Sequence, residues 1–190
     1  FSAVGREKLL DGKGVSLSSA NSINIGRLAP QVVYYYRAYA DLVKAGRIRE
    51  GDKVDFVVPT GNFGDILAGY FAKEMGLPVG RLVCASNANN VLTEFLRTGR
   101  YDRRRPFYKT VSPSMDILVS SNLERLLYLL SGDDKLIADL MKQLSENGEY
   151  EVPADMLEKL HELFWAGFCD DEGAKTAIGK VWKDDHYLCD

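Results

Sequence analysis

The sequence predicts an α/β fold, three layers deep, in which a mostly parallel twisted sheet is flanked by helices. Short apolar runs, Phe56-Val57-Val58 and Arg81 to Ala85, alternate with segments of helical period. Run, turn, helix and run follow one another within about thirty residues, the span of a βαβ unit with parallel strands and a right-handed crossover. The chain, 190 residues long, suffices for one well-buried domain and is tight for two.

Ser16 to Asn24 is rich in small polar residues and reads as a loop. Pro30 through Ala45 carries Val33, Tyr36, Tyr39, Ala40 and Val43 at helical steps, with Gly46 as the stop; Asn21, Ser22 and Asn24 are capping types, which allows a start at Ile25. Lys53 to Val58 suits a buried strand, Pro59 to Asp65 a turn, and Ile66 to Met75 a helix closed by Gly76 and Pro78. Arg81 to Ala85 is the next strand, followed by the polar stretch Ser86 to Asn90 and a helix through Arg97 that Gly99 ends. Asp116 to Ser120 reads as a strand, and Leu123 to Leu130, Asp134 to Leu144 and Pro153 to Phe164 as helices. Phe168 to Asp170 suggests a short edge strand, Ala174 to Trp182 a helix, and His186 to Cys189 the start of a further strand. The whole is expected to be a single domain over 1–190. Residues 1–20 are extended or linker-like, and 132–190 form a helical extension toward a truncated last strand.

Composition excludes several classes. Hydrophobic residues at 46% and charged ones at 27% are ordinary for a globular protein. A formal charge of −3 gives no global pull toward nucleic acid or an anionic membrane, and no apolar run is long enough to span one. Arg100, Arg103, Arg104 and Arg105 read as a solvated loop, with a partner or anion contact as the alternative. Cys84, Cys169 and Cys189 form no close pair, which argues against a disulfide framework and for a reducing, cytoplasmic compartment. His186 and Cys189 alone do not make a zinc site, so no metal is expected.

Chemistry concentrates in Val57-Val58-Pro59-Thr60-Gly61-Asn62-Phe63-Gly64-Asp65, a turn from the carboxyl end of a strand into a helix. Open α/β sheets bind ligands there, and the unpaired N–H groups of a helix start favour an anion, phosphate above all. Asp65 follows Gly64 where a nucleotide-triphosphate loop requires Lys, and the three-glycine dinucleotide spacing is missing. With no Lys or Arg in the turn, neutral N–H donors hold a small phosphate, or the turn is simply a tight one.

Val58 to Tyr70, beginning Val58-Pro59-Thr60-Gly61-Asn62-Phe63-Gly64-Asp65, closely resembles the phosphate-cup segment of the threonine synthases, fold-type II pyridoxal-phosphate enzymes. Asn21-Ser22-Ile23-Asn24 with Arg27 is similar to the family's Ser-x-Asn-x-x-Arg stretch. Ala85-Ser86-Asn87-Ala88-Asn89 and the block from Ser112 to Leu127 match two further segments in family order. The resemblance implies conversion of O-phosphohomoserine and water to threonine and phosphate. It assigns Gly61, Asn62, Phe63, Gly64 and Asp65 to the phosphate of pyridoxal 5'-phosphate, and Asn21, Ser22, Asn24 and Arg27 to the phosphate of the substrate. Capping and a surface ion pair are the alternative for the second set. Strand burial and helix capping explain most of Ser112 to Ser114 and Asn122 to Arg125.

The family's imine lysine sits in a Phe-Lys-Asp context that this sequence does not contain, and the resemblance places it upstream of these blocks. The expectation is therefore an internal portion of such an enzyme, starting at Phe1 rather than Met, with no catalytic residue of its own and inactive alone. Surfaces left uncovered favour self-association. Two other readings stay open: a related lyase acting on a different phosphorylated substrate, and a non-catalytic domain that binds small anions or partners.

Overall fold

The computed structural model describes residues 23–189. Asn24 opens α1 (Ile25–Leu28), its Oδ1 accepting from the Gly26 N–H at 2.9 Å as a capping side chain does. A 3₁₀ turn over Ala29–Gln31, entered through Pro30, leads into α2 (Val32–Lys44), which buries Tyr35 and Tyr39. Gly46 at φ 66° provides the left-handed residue beyond its end.

The predicted βαβ unit follows: β1 (Val54–Pro59), α3 (Gly64–Glu74) and β2 (Val79–Ser86), the strands parallel with Val58 opposite Cys84. Beyond it come α4 (Val91–Thr98), β3 (Arg100–Asp102), α5 (Leu123–Ser131), α6 (Asp134–Asn147), β4 (Glu149–Glu151), α7 (Ala154–Leu163), β5 (Phe164–Phe168) and α8 (Asp171–Asp185). The main sheet has the order β1-β2-β5, all parallel and flanked by helices, as expected. Val58, Leu82, Cys84 and Phe164 on one face pack with Ile66 and Leu67 of α3 in a single apolar cluster. Each fully buried Leu or Ile there contributes about 1.5–3 kcal/mol.

Four expectations change. β1 is not buried on both faces: in the row Val57, Val83, Trp165, Val57 is 69% and Trp165 52% exposed, and the Arg81 guanidinium lies 3.7 Å over the indole. Asp116 to Ser120 is no strand. Its backbone serves Tyr101 instead, whose hydroxyl donates to the Leu118 carbonyl at 3.1 Å and accepts from the Ser120 N–H at 2.9 Å. The last sheet strand is Phe164–Phe168 rather than 168–170, because Asp170 caps α8 through the Gly173 N–H. Residues 186–189 form no strand, and His186 at φ 54° closes α8 on the Trp182 carbonyl. A short antiparallel ladder, Arg100–Asp102 with Glu149–Glu151, went unpredicted. It absorbs the arginine cluster: Arg100 and Arg104 pair with Glu149, and Arg105 with Glu94 at 2.8 Å.

Candidate functional site

Between β1 and α3 the chain reverses over Thr60 to Phe63. The Thr60 N–H still extends the sheet, donating to the Ala85 carbonyl at 2.8 Å. From Gly61 onward the carbonyls are held from one side by the segment that enters α5. Ser120 Oγ donates to the Gly61 carbonyl at 2.9 Å. Asn122 donates to the Asn62 carbonyl twice, from its N–H at 3.1 Å and from Nδ2 at 2.9 Å. In a trans peptide unit a carbonyl and the following N–H point in opposite directions. Holding the Gly61 and Asn62 oxygens therefore turns the Asn62 and Phe63 N–H groups away from Ser120 and Asn122.

Phe63 then takes φ 62°, ψ 13°, the left-handed region that a bulky residue rarely enters. Its ring, 1% exposed, packs 5.7 Å from that of Phe164, so burial holds the strained backbone in place. A left-handed residue followed by a helical one gathers successive N–H groups into an anion-binding concavity. Among the described residues, the N–H groups of Asn62, Phe63, Gly64 and Asp65 have no acceptor. Space favours Gly61: a Cβ there would stand 3.0 Å from the Ser114 carbonyl oxygen, so the segment passing over the turn would have to give way.

That segment is anchored by a carboxylate. Asp116 accepts from Asn87 Nδ2 at 2.7 Å, from Asn89 Nδ2 at 3.1 Å, and from the Thr110 hydroxyl and N–H at 2.8 and 3.0 Å. These donors, the Thr110 N–H foremost, hold its pKa below the ordinary carboxylate value. Asp65 is the opposite case. Its Oδ1 is buried without a partner among the described residues, and desolvation raises its pKa. The side chain lines a groove of about 200 Å³ with Tyr34, Tyr35, Ala38 and residues 56–59, and the Tyr35 hydroxyl donates to the Asp65 carbonyl at 2.8 Å.

The structure thus brings Gly61 through Asp65 together around one turn. Asn24 caps α1 and Arg27 is exposed on it, while Asn21 and Ser22 lie outside the described residues. Local rules missed Ser120, Asn122, Tyr35 and Asp116. Asn122, at a helix start, reads as a capping residue, yet its side chain makes no cap and reaches Asn62 instead. Among the described residues no group of three or more His, Cys, Asp or Glu could hold a metal ion, and no helix is long and apolar enough to cross a membrane.

No family model matches the chain. Threonine synthase-like 1 of Homo sapiens is 48% identical over 179 residues, which cover 93% of this chain and 24% of that protein. Threonine synthase of Saccharomyces cerevisiae is 39% identical over 92% of this chain and 36% of its own length. Among solved structures, the PLP-bound threonine synthase of Brucella melitensis superposes with a TM-score of 0.86 at 40% identity, covering 98% of this chain and 40% of that one. The chain spans about a quarter to two fifths of the length of these proteins. By sequence and by fold, over nearly its whole length, it is related to the threonine synthases.

Proposed function

We propose that the Gly61–Asp65 turn is the phosphate cup for pyridoxal 5'-phosphate in a lyase that converts O-phosphohomoserine and water to threonine and phosphate. One observation carries this reading: the turn's carbonyls are tied back by Ser120 and Asn122, while the N–H groups of Asn62 to Asp65 are left without acceptors among the described residues. Neutral donors at the start of an eleven-residue helix suit a phosphate, and a side chain at Gly61 would crowd the Ser114 carbonyl. Asp65 serves through its N–H, since its carboxylate lies in the groove beside Tyr35. When bound, the cofactor supplies an electron sink for the carbanion formed as the substrate loses protons.

Asn21, Ser22, Asn24 and Arg27 take the substrate's phosphate in this reading. Asn24 spends its Oδ1 on the cap and keeps Nδ2 as a donor, and a guanidinium at Arg27 binds a phosphate bidentately. The same donors stabilise the negative charge that grows on the phosphate as it leaves. The chain's own contribution is therefore to bind two phosphates and to orient what lies between them. Free cysteines at Cys84, Cys169 and Cys189 fit a cytoplasmic enzyme.

A second reading, a threonine-synthase-like lyase acting on a related phosphorylated substrate, draws on the higher identity to threonine synthase-like 1, 48% against 39% for the yeast threonine synthase. Product analysis separates the two. The full-length protein, given pyridoxal phosphate and O-phosphohomoserine, is expected to release phosphate and threonine in equal amounts. Phosphate released with a keto acid and ammonia supports the second reading, and no cofactor binding overturns both.

A further inference from the structure

Arg125 stands in the first turn of α5, where the helix dipole disfavours a cation. Its guanidinium is used elsewhere. Nη1 donates to Asn122 Oδ1 at 2.7 Å, and Nη2 donates to the Ile23 carbonyl, 102 positions away. Asn122, fully buried, passes the connection on through its two hydrogen bonds to the Asn62 carbonyl. A continuous relay thus runs from Ile23 through Arg125 and Asn122 to Asn62. At one end lies the described Ile23–Arg27 stretch, at the other the Asn62–Asp65 turn, two segments otherwise remote in sequence.

We propose that Arg125 is a positioning residue that sets the spacing between the substrate-phosphate stretch and the cofactor-phosphate turn, and so selects the length of substrate that fits between them. The proposal rests on the function proposed above. A planar fork with two fixed donor directions holds both acceptors at one separation, which a flexible ammonium cannot do. Two phosphates held at a fixed distance accept a substrate whose phosphate-to-amine span matches it. One methylene fewer, as in O-phosphoserine against O-phosphohomoserine, leaves the reacting carbon out of place. Site fit of this kind discriminates one methylene by about 10–200-fold.

The test compares the full-length wild type with Arg125→Gln and Arg125→Lys. Four quantities are measured: the Kd for pyridoxal phosphate by absorbance titration, KM for O-phosphohomoserine, the kcat/KM ratio of O-phosphohomoserine to O-phosphoserine, and Tm. Arg125→Gln is expected to raise KM about tenfold, the weight of one charged hydrogen bond, and to lower the substrate ratio. Cofactor Kd should stay within about twofold, and Tm should fall by no more than the several degrees that a lost buried hydrogen bond accounts for. Arg125→Lys, which keeps charge and stem but not the fork, is expected to show the same split in smaller measure. KM and cofactor Kd rising together with a fall in Tm would mark a merely structural residue and overturn the proposal. An unchanged substrate ratio in both variants overturns it while leaving the functional reading intact. A wild type that binds no pyridoxal phosphate overturns the functional reading and this proposal with it.

Discussion

Asn122 holds the carbonyl oxygen of Asn62 with two donors, its own N–H at 3.1 Å and its Nδ2 at 2.9 Å, across sixty positions of sequence. The contact lets the start of α5 fix the shape of the turn between β1 and α3. Asn122→Ala removes the Nδ2 bond and also takes Oδ1 from Arg125. Losing buried hydrogen bonds of this kind costs about 1–3 kcal/mol. The expected loss in Tm is several degrees, about 2–4 °C per kcal/mol for a domain of this size. Unchanged thermal denaturation would show that the turn keeps its shape without Asn122.

Asp116 predicts a response to acid. Its folded pKa lies below the ordinary carboxylate value, chiefly because the Thr110 N–H donates to it, with the Thr110 hydroxyl, Asn87 and Asn89 adding to that. A carboxylate depressed in the folded state contributes stability that is present above its unfolded pKa and lost as pH falls through the folded one. The segment from Thr110 to Asp116 should therefore hold at neutral pH and loosen below about pH 4. Asp116→Asn should loosen it at every pH. Hydrogen exchange at the Thr110 amide reads this directly, and acid-insensitive protection would contradict it.

Much of this architecture is written locally. The βαβ unit was legible because Phe56-Val57-Val58, the Gly61–Gly64 turn and the Gly76–Pro78 stop each obey a short-range rule. The edge of β5 was not, since Leu160, Leu163 and Phe164 continue the helical spacing of α7 up to the residue where Phe164 turns to pair with Leu82. Ile117-Leu118-Val119 has strand composition, but strand formation needs a neighbour, and Tyr101 claims its backbone groups instead. The same limit applies to the candidate site. Its donors were visible as a motif, whereas Ser120, Asn122 and Tyr35 act over thirty to sixty positions and carry no local mark.

Asp65 predicts the opposite pH response. Burial raises its carboxyl pKa above the ordinary carboxylate value. A raised carboxyl pKa means that the folded state binds the proton more tightly than the unfolded chain. Its favourable contribution is complete below the unfolded value and fades as pH rises through the folded one. Asp65→Asn, which carries no charge to desolvate, should therefore stabilise the protein at pH 7, with the gain shrinking as pH is lowered toward 4. It should also bind inorganic phosphate more tightly at pH 7, since a negative charge near the turn is gone. Denaturation midpoints for the pair across that range decide the matter; a gain that grows with acid would reverse the assignment.

Phe63 combines a strained backbone with a buried ring, and two substitutions separate the contributions. Phe63→Ala keeps a Cβ at φ 62° and loses the ring packed against Phe164. Truncating a buried Phe costs about 3–5 kcal/mol. Phe63→Gly loses the same ring but relieves the left-handed strain, which is about 1–2 kcal/mol for a residue with a Cβ. The glycine variant should therefore be no less stable than the alanine variant, against the usual order in which Gly is the poorer residue. If alanine proves the more stable in chemical denaturation, the left-handed geometry at this position is not what holds the N–H groups of the turn in their arrangement.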